Sequence, residues 1–250
     1  MEPLPHDHIV PFKKSELDKK NQVSQMFDQI AGRYDFMNHF LSAGIDKSWR
    51  RMAIKKMKNQ DPKIILDVAS GTADMAIAAC KILNPEKVIG IDISAQMLEV
   101  GRKKVEKEGF GQIVKLELGD SETINYAEKT FDAVTVAFGV RNFENLENGL
   151  KEMLRVLKPG GQLVILEFSK PKYMAVRSLY NLYMGILAPR VARWFRQNKD
   201  AYKYLCESAN AFPDRRNFID ILKKAGFSET KYKSLSLGIC CIYTGKKLGS

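Results

Sequence analysis

The sequence predicts an α/β protein: a mostly parallel, seven-stranded sheet with helices on both faces and an antiparallel hairpin at its C-terminal edge. Two observations predict it. From Lys63 onward, short apolar runs rich in β-branched residues alternate with amphipathic stretches of helical length. The runs are also near-continuously apolar, as strands covered on both faces are. Residues 229–234 and 238–246 close the chain as two further strand candidates and are read as the edge hairpin.

The elements follow in order. After a polar N-terminal arm, helical patterns run through 15–31, 35–42 and 46–58, with Ser15 and Asp18 as a variant capping box. Strands are expected at 63–68, 87–91, 113–118, 131–137 and 162–168. Between them lie helices at 72–83, 95–107 and 146–157, the last stopped by Pro159-Gly160-Gly161, and a further helix is expected at 215–225. In open sheets of this kind ligands bind at the carboxyl ends of the strands, where strand order reverses. The loops that follow the strands are therefore where chemistry is expected.

Composition bounds the function. The 250 residues carry 40 Lys and Arg against 29 Asp and Glu, a formal charge of +11. With 45% hydrophobic and 28% charged residues the chain is neither disordered nor fibrous. Its longest uncharged stretches are 12 residues, short of the ~20 that a membrane-crossing helix needs. The N-terminus lacks the layout of a secretory signal, so a cytoplasmic protein is expected. Cys80, Cys206, Cys240 and Cys241 include no C-x-x-C pair and are read as reduced thiols. The three histidines show no metal-ligand spacing, so no metal site is expected.

The most informative run is LDVASGTAD at 66–74. A strand ends at Val68, small residues follow, and a helix begins near Thr72, so backbone N–H groups converge where a polar ligand would approach. Of the glycines of a dinucleotide fingerprint only Gly71 is present, and no nucleoside triphosphate loop exists. Asp67 is placed to hold the loop through backbone N–H groups. Asp92 ends the second strand, 21 residues after Gly71, where it would take both hydroxyls of a ribose. Asp120 follows the third strand, placed to receive an adenine amino group, with Ser121 beside it. Three acids at three strand ends would repel a pyrophosphate and favour an adenosyl sulfonium.

LDVASGTAD resembles the first motif of class I S-adenosylmethionine-dependent methyltransferases, and GIDIS at 90–94 their second. More narrowly, FDQIAGRYD at 27–35, FGVRN at 138–142, RVLKPGG at 155–161, LEFSKP at 166–171 and YKYLCES at 202–208 resemble the quinone C-methyltransferases. The resemblance implies a Rossmann-like methyltransferase that uses S-adenosyl-L-methionine to methylate a polyprenylated quinol. Demethylmenaquinol is the first candidate and the benzoquinol precursor of ubiquinone the alternative. It implies cofactor contacts at Gly71, Thr72, Asp92, Asp120 and Ser121. Two departures stand out: Ala73 where glycine is usual, and Ala137 where serine is frequent. Residues 1–58 would then be an arm and helical cover over the active site, and 59–250 the methyltransferase domain with a helical insertion at 170–208.

Ring-carbon methylation needs electron density pushed in from a neighbouring phenolate. Arg141 stays protonated at any working pH and so serves to stabilise that oxygen, with Asn142 and Tyr34 completing the hydrogen-bond set. Tyr34 with Asp35 also reads as a packing and capping pair, and His39 as polar lining.

Between Lys170 and Lys203 eight Lys or Arg face one acid, Asp200, a local +7. Leu179, Leu182, Tyr183 and Ile186 form an apolar stripe, which Val191, Trp194 and Phe195 resume after Pro189. The segment reads as a packed helix, a tunnel for a prenyl tail, a face for a second copy of the chain, or a contact in which Arg190, Arg193 and Arg196 meet anionic lipid. Basic residues with aromatics also suit RNA, but the loop after the fourth strand lacks the Asn/Asp-Pro-Pro-aromatic run of exocyclic-amine methyltransferases, and no nucleic-acid partner is expected. A non-catalytic cofactor-binding protein would keep Asp92 yet need no Arg141.

Overall fold

A computed structural model describes residues 4–42, 44–171 and 199–249. The chain opens with helices α1 (Lys19–Leu41) and α2 (Asp46–Ile54) and a 3-10 turn at Lys55–Gln60. There follow β1 (Ile64–Val68), α3 (Asp74–Leu83), β2 (Lys87–Asp92), α4 (Ala95–Lys107), β3 (Val114–Leu118), β4 (Phe131–Ala137), α5 (Leu146–Val156) and β5 (Leu157–Phe168). It closes with α6 (Lys199–Ala211), α7 (Arg216–Lys224), β6 (Ser228–Leu235) and β7 (Cys240–Lys246).

The strands form one seven-stranded sheet in the order β3-β2-β1-β4-β5-β7-β6. β1 to β5 are parallel; β7 runs antiparallel between β5 and the edge strand β6. The expected sheet and C-terminal hairpin are both present. Because β1 pairs with β2 on one side and β4 on the other, the order reverses beside β1 and a crevice opens at its carboxyl end.

Alternation along the strands sorts side chains into two layers. Leu66, Val134 and Ile165 pack beneath α5 and α7, while Ile65, Ala133 and Val164 pack beneath α2 and α3. Cys240 and Cys241 illustrate the sorting: they are neighbours in β7, both buried, and belong to opposite layers. A third cluster lies above the strand ends, where Val23, Met26, Phe27, Ile30 and Ala31 of α1 meet Met97 of α4 and Tyr204 of α6.

Two expectations are corrected. The helical patterns at 15–31 and 35–42 are one helix, α1, because Gly32 sits in open space and interrupts nothing. Ser15 does not cap it; its hydroxyl accepts from Leu17 N–H, while the Asp18 carboxylate accepts from Asn21 N–H at 2.8 Å. Helix α5 stops at Val156, just ahead of Pro159-Gly160-Gly161 as expected: Leu157 is already extended at φ −67° and ψ 140°, and Lys158, the residue before the proline, is disfavoured in the helical region. The three residues then continue β5, with Gly160 N–H donating to Lys247 C=O and Lys247 N–H to Gly161 C=O, both at 3.0 Å. The basic stripe at 178–195 lies outside the described residues.

Close approach fixes one glycine of β2. A Cβ on Gly90 would sit 2.5 Å from Leu116 and 2.6 Å from the Ser70 hydroxyl, so no side chain fits between β2, β3 and the loop after β1. Gly90→Ala is expected to cost about 1–3 kcal/mol of stability by overpacking. Thermal unfolding checks this; a melting temperature within a degree of the parent's would refute it.

Candidate functional site

A pocket of about 610 Å3, counted out to its mouth, lies at the carboxyl ends of β1, β2, β3 and β4. Helix α1 lies across it, contributing Lys20, Val23, Phe27 and Tyr34 to the lining. Two contacts dock this part of the helix on the loop after β2: Ser24 Oγ donates to Ile93 C=O at 2.9 Å, and Asp28 Oδ1 accepts from Ser94 Oγ at 2.6 Å. Ser94 itself caps α4, its hydroxyl accepting from Met97 N–H. Of the five charged residues lining the pocket, Asp92, Asp120, Glu122 and Glu144 are acids and Lys20 is the cation.

Asp92 ends β2 and faces the pocket. Its Oδ2 accepts from Gly71 N–H and its Oδ1 from Ser94 N–H, both at 2.8 Å, which joins the loops after β1 and β2 through one carboxylate. Burial pushes its pKa up to about 6, against the pull of those donors. Gly71 lies in the left-handed region at φ +54°, and a Cβ there would meet Met97 at 3.2 Å.

Asp67 sits a step deeper and holds the loop differently from the expectation. Its carboxylate accepts from two hydroxyls, Ser70 Oγ at 2.9 Å and Thr135 Oγ1 at 2.7 Å, because a residue inside a paired strand meets the side chains of its neighbours. Burial raises it to about 6 as well. Asp67 and Thr72 do not line the main pocket; they line a smaller chamber joined to it through Tyr34, Ala69, Gly71 and Ala137. The Thr72 hydroxyl donates to Asp35 and accepts from Lys104 at 3.2 Å.

At the other end of the pocket Asp120 accepts from Lys20 Nζ at 2.6 Å and from Glu122 N–H at 2.9 Å, with buried Ser121 beside it. Ile93, Met97 and Phe143 supply apolar wall between Asp92 and Asp120.

Arg141 is 3% exposed and stands outside the pocket lining. Its Nη1 donates to Phe138 C=O at 2.8 Å and to Glu167 Oε1 at 2.6 Å, and its guanidinium lies 5.5 Å from the Phe168 ring centroid. Burial disfavours the charge, yet the Glu167 carboxylate holds the Arg141 pKa above its ordinary value. Arg141 Nε and Glu167 Oε2 are buried without partners among the described residues. Asn142 does face the pocket; its Nδ2 reaches back to Phe138 C=O at 3.4 Å and its Oδ1 accepts from buried Tyr204 at 3.1 Å. Tyr34 borders both spaces, edge-on to Phe27, its hydroxyl pKa raised by burial and drawn back by Asn38 and the charges of Arg141 and Arg50. The side chain of His39 lies outside the described residues.

Sequence reasoning missed Lys20, Arg50 and Glu167. Glu167 carried a signal, an acid inside the apolar run LVILEF, and such an acid is almost always paired. Lys20 carried none, since an N-terminal lysine on a helix is ordinarily solvated.

The parallel sheet, the reversal beside β1 and the acid-lined crevice at its strand ends define a Rossmann-like methyltransferase. A solved SAM-dependent methyltransferase of Thermotoga maritima shares the fold at a TM-score of 0.62 and 20% identity, over 90% of this chain and 99% of that one. The [4+2]-cyclase SpnF shares it at 0.60 and 18%, over 92% and 97%, so the fold alone does not fix the reaction. The chain belongs to the ubiE/COQ5 methyltransferase family, whose profile matches residues 14–247. It is 44% identical to the demethylmenaquinone methyltransferase of Bacteroides fragilis over 243 residues, 97% of this chain and 99% of that protein. It is 43% identical to the ubiquinone/menaquinone biosynthesis C-methyltransferase of Geotalea daltonii over 237 residues, 94% and 100% of the two chains.

The pocket fits S-adenosylmethionine, the cofactor of this class. Its acids suit ribose hydroxyls, an adenine amino group and a cationic sulfur, its apolar wall suits a purine, and among the described residues its lining offers no cluster of cationic donors such as a pyrophosphate needs.

Removing one partner of the buried pair is the larger perturbation. Arg141→Ala leaves Glu167 buried without a counter-charge and is expected to cost about 3–5 kcal/mol, whereas Arg141→Met with Glu167→Leu should recover most of it. Urea denaturation of the three proteins decides, and a single variant as stable as the parent would rule out the pair.

Proposed function

We propose that this chain methylates a ring carbon of a polyprenylated quinol, demethylmenaquinol to menaquinol, with S-adenosylmethionine as methyl donor. The observation that carries the reading is the acid-lined pocket under α1 in a chain similar, along nearly its whole length, to proteins bearing that name. The benzoquinol step of ubiquinone formation is a second reading, favoured by the similarity to ubiquinone/menaquinone C-methyltransferases.

When bound, the cofactor supplies an electrophilic methyl group on a sulfonium. Asp92 would accept from the ribose hydroxyls, its remaining lone pairs facing the pocket beyond Gly71 and Ser94. Asp120 and Ser121 would take the adenine edge, and Gly71 gives the close backbone approach. On the quinol side Tyr34 and Asn142 offer hydrogen bonds to a ring oxygen, and the Arg141 charge behind them favours that oxygen as phenolate. Arg141 orients and stabilises; it does not take the proton. Asp67 and Thr72 act on the loop that shapes the pocket, through Ser70 and Asp35.

Among the described residues no helix is long and apolar enough to cross a membrane. A prenylated quinol resides in the bilayer, so the proposal includes peripheral contact of a cytoplasmic protein with an anionic surface through Arg190, Arg193 and Arg196. The same segment is the candidate face for a second copy of the chain. Flotation with anionic liposomes is expected to fall when the three arginines are neutralised, and unchanged flotation refutes the membrane contact.

Incubation of the purified protein with labelled cofactor and each reduced quinone tests the activity. Label is expected in demethylmenaquinol; label in RNA and in neither quinol would sink the reading. Asp92 also sets a pH dependence. Only its carboxylate form accepts both ribose hydroxyls, so affinity for S-adenosylhomocysteine should fall about tenfold per pH unit below its pKa of about 6 and level off above it. Calorimetry between pH 5 and 8 measures this, and Asp92→Asn should give weak, pH-independent binding.

A further inference from the structure

We infer that the turn between β6 and β7 is an apolar wedge that docks the carboxyl end of the sheet on an anionic lipid surface, with Leu237 as the inserted side chain. This docking deepens the membrane contact proposed above and rests on that reading. The turn, Ser236–Gly238, lies beside the last residue of β5, because Cys240 of β7 pairs with Phe168 on one side and with Leu235 of β6 on the other. It therefore stands at the end of the sheet that carries the pocket. Trp49 of α2 links the two: its Nε1 donates to Ser236 Oγ at 2.9 Å, and its ring centroid lies 6.5 Å from that of Phe138, which lines the pocket.

Leu237 is 65% exposed, and its backbone is strained to keep it there. Ser236 and Leu237 both lie in the left-handed region, at φ +45° and +58°, which glycine adopts without the clash that a leucine Cβ meets. The turn is nonetheless fixed. Ser169 Oγ donates to Gly238 C=O at 2.6 Å, Ser169 N–H to Ile239 C=O at 2.9 Å, and Arg215 Nη2 to Gly238 C=O at 3.3 Å. A rigid, strained turn that presents a leucine to water loses free energy on both counts, and a surface that buries the side chain recovers the apolar part. Two more exposed apolar side chains stand at this end of the sheet: Ile45, whose C=O accepts from Trp49 N–H, and Leu118, which ends β3.

Charge selects the partner. Lys47 and Arg51 are exposed on α2, Lys170 follows β5, and none of the three has an ion-pair partner among the described residues. The acids of the same elements are engaged. Asp46 is buried against Arg50, and Asp214 accepts from Lys170 N–H at 3.0 Å and lies 3.2 Å from Arg215 Nη1. Exposed apolar side chains beside unpaired cations fit the boundary of a bilayer, where acyl chains take the leucine and anionic headgroups take the cations. A quinol held in the same bilayer would then meet the pocket end of the protein first.

Leu237→Gly separates docking from structure, because glycine relieves the backbone while it deletes the side chain. The full-length variant is expected to melt within about two degrees of the parent or above it, and to partition about tenfold less onto vesicles of phosphatidylglycerol and phosphatidylethanolamine. Lys47→Gln with Arg51→Gln should lower partition onto these vesicles by about 10- to 30-fold and leave that onto phosphatidylcholine unchanged. In a Cys206→Ser background, an environment-sensitive dye on Leu237→Cys should shift to shorter wavelength on the anionic vesicles. The same dye on Leu248→Cys, exposed at the opposite end of the sheet, should not. Unchanged partition of Leu237→Gly with an unshifted dye at 237 overturns the inference; if neutralising Arg190, Arg193 and Arg196 still lowers flotation, the membrane contact itself stands. Loss of melting temperature in Leu237→Gly with an unshifted dye assigns the leucine to the fold and overturns the inference as well. A parent dimer that Leu237→Gly dissolves, with partition unchanged, gives the surface to a second copy of the chain and overturns the lipid assignment. A parent that binds neither vesicle overturns this inference and the membrane contact together, and leaves methyl transfer to its own test.

Discussion

The structure depends on β1 being hydrogen-bonded on both sides by parallel strands. Parallel neighbours need crossover connections, and crossovers in a twisted sheet are right-handed, so building outward from β1 in two directions puts α3 and α4 on one face and α5 on the other. The connections that leave the carboxyl ends of β1 and its neighbour β4 turn to opposite faces of the sheet, one to α3 and the other to α5. They cannot meet there, and the gap between them is the pocket. Apart from Met97 of α4, every residue that lines it from the sheet side is the last residue of β2 or β4 or stands in a loop after β1, β2, β3 or β4. The apolar strands are therefore the cause of the polar site: because both sheet faces are buried, polar residues collect where the strands end.

The site concentrates acids in a chain whose net charge is +11. What makes this tolerable is the donor supply. Asp92 has two backbone N–H groups, Asp67 two hydroxyls, and Asp120 a backbone N–H and a lysine. Burial still raises Asp67 and Asp92 to about 6, and the sign has a consequence. A carboxyl with a raised folded-state pKa contributes to stability while protonated, and that contribution is lost as pH rises from about 4 to about 6. Ionised Asp92 therefore stabilises the fold less, while in the proposed role it would serve a ligand better. The hydroxyls of a bound ribose would return donors to the carboxylate, so site and ligand are coupled through one group.

How much of this could be read from the sequence follows from what kind of interaction each feature is. Strand periodicity and helix amphipathicity are local, and the ladder from Ile64 to Phe168 was legible within a few residues. Asp92, Asp120, Gly71 and Ser121 were legible because each stands at a strand end that periodicity locates. The continuity of α1 was not legible: Gly32 lowers local helix propensity, and the apolar face that holds the helix is matched by Met97 and Tyr204, far away in sequence. The pairing of Arg141 with Glu167 crosses from the loop after β4 to β5, and no spacing rule links them. That Thr72 lines only the smaller chamber while Gly71 beside it borders both spaces was equally hidden, since it turns on which way a single loop residue points.

The Arg141–Glu167 pair shows why burial and catalysis need not be opposed readings. A buried ion pair contributes little net stability, because desolvation of both charges offsets their attraction. It fixes position and keeps charge. Nη1 is committed to Phe138 and Glu167, which clamps one corner of the guanidinium to the backbone that also carries Asn142 into the pocket. A solvated arginine at the pocket mouth would have its field screened by water and would have to be ordered by the substrate. Held dry behind Tyr34 and Asn142, the same charge would act through low-dielectric protein and would already be in place for the ring oxygen of the proposed substrate. Glu167 offsets much of that field by its own charge, and because the ion pair is fixed through Nη1 it presents a dipole of set orientation. What the pair loses in charge it keeps in geometry, and geometry is what a preorganised site requires.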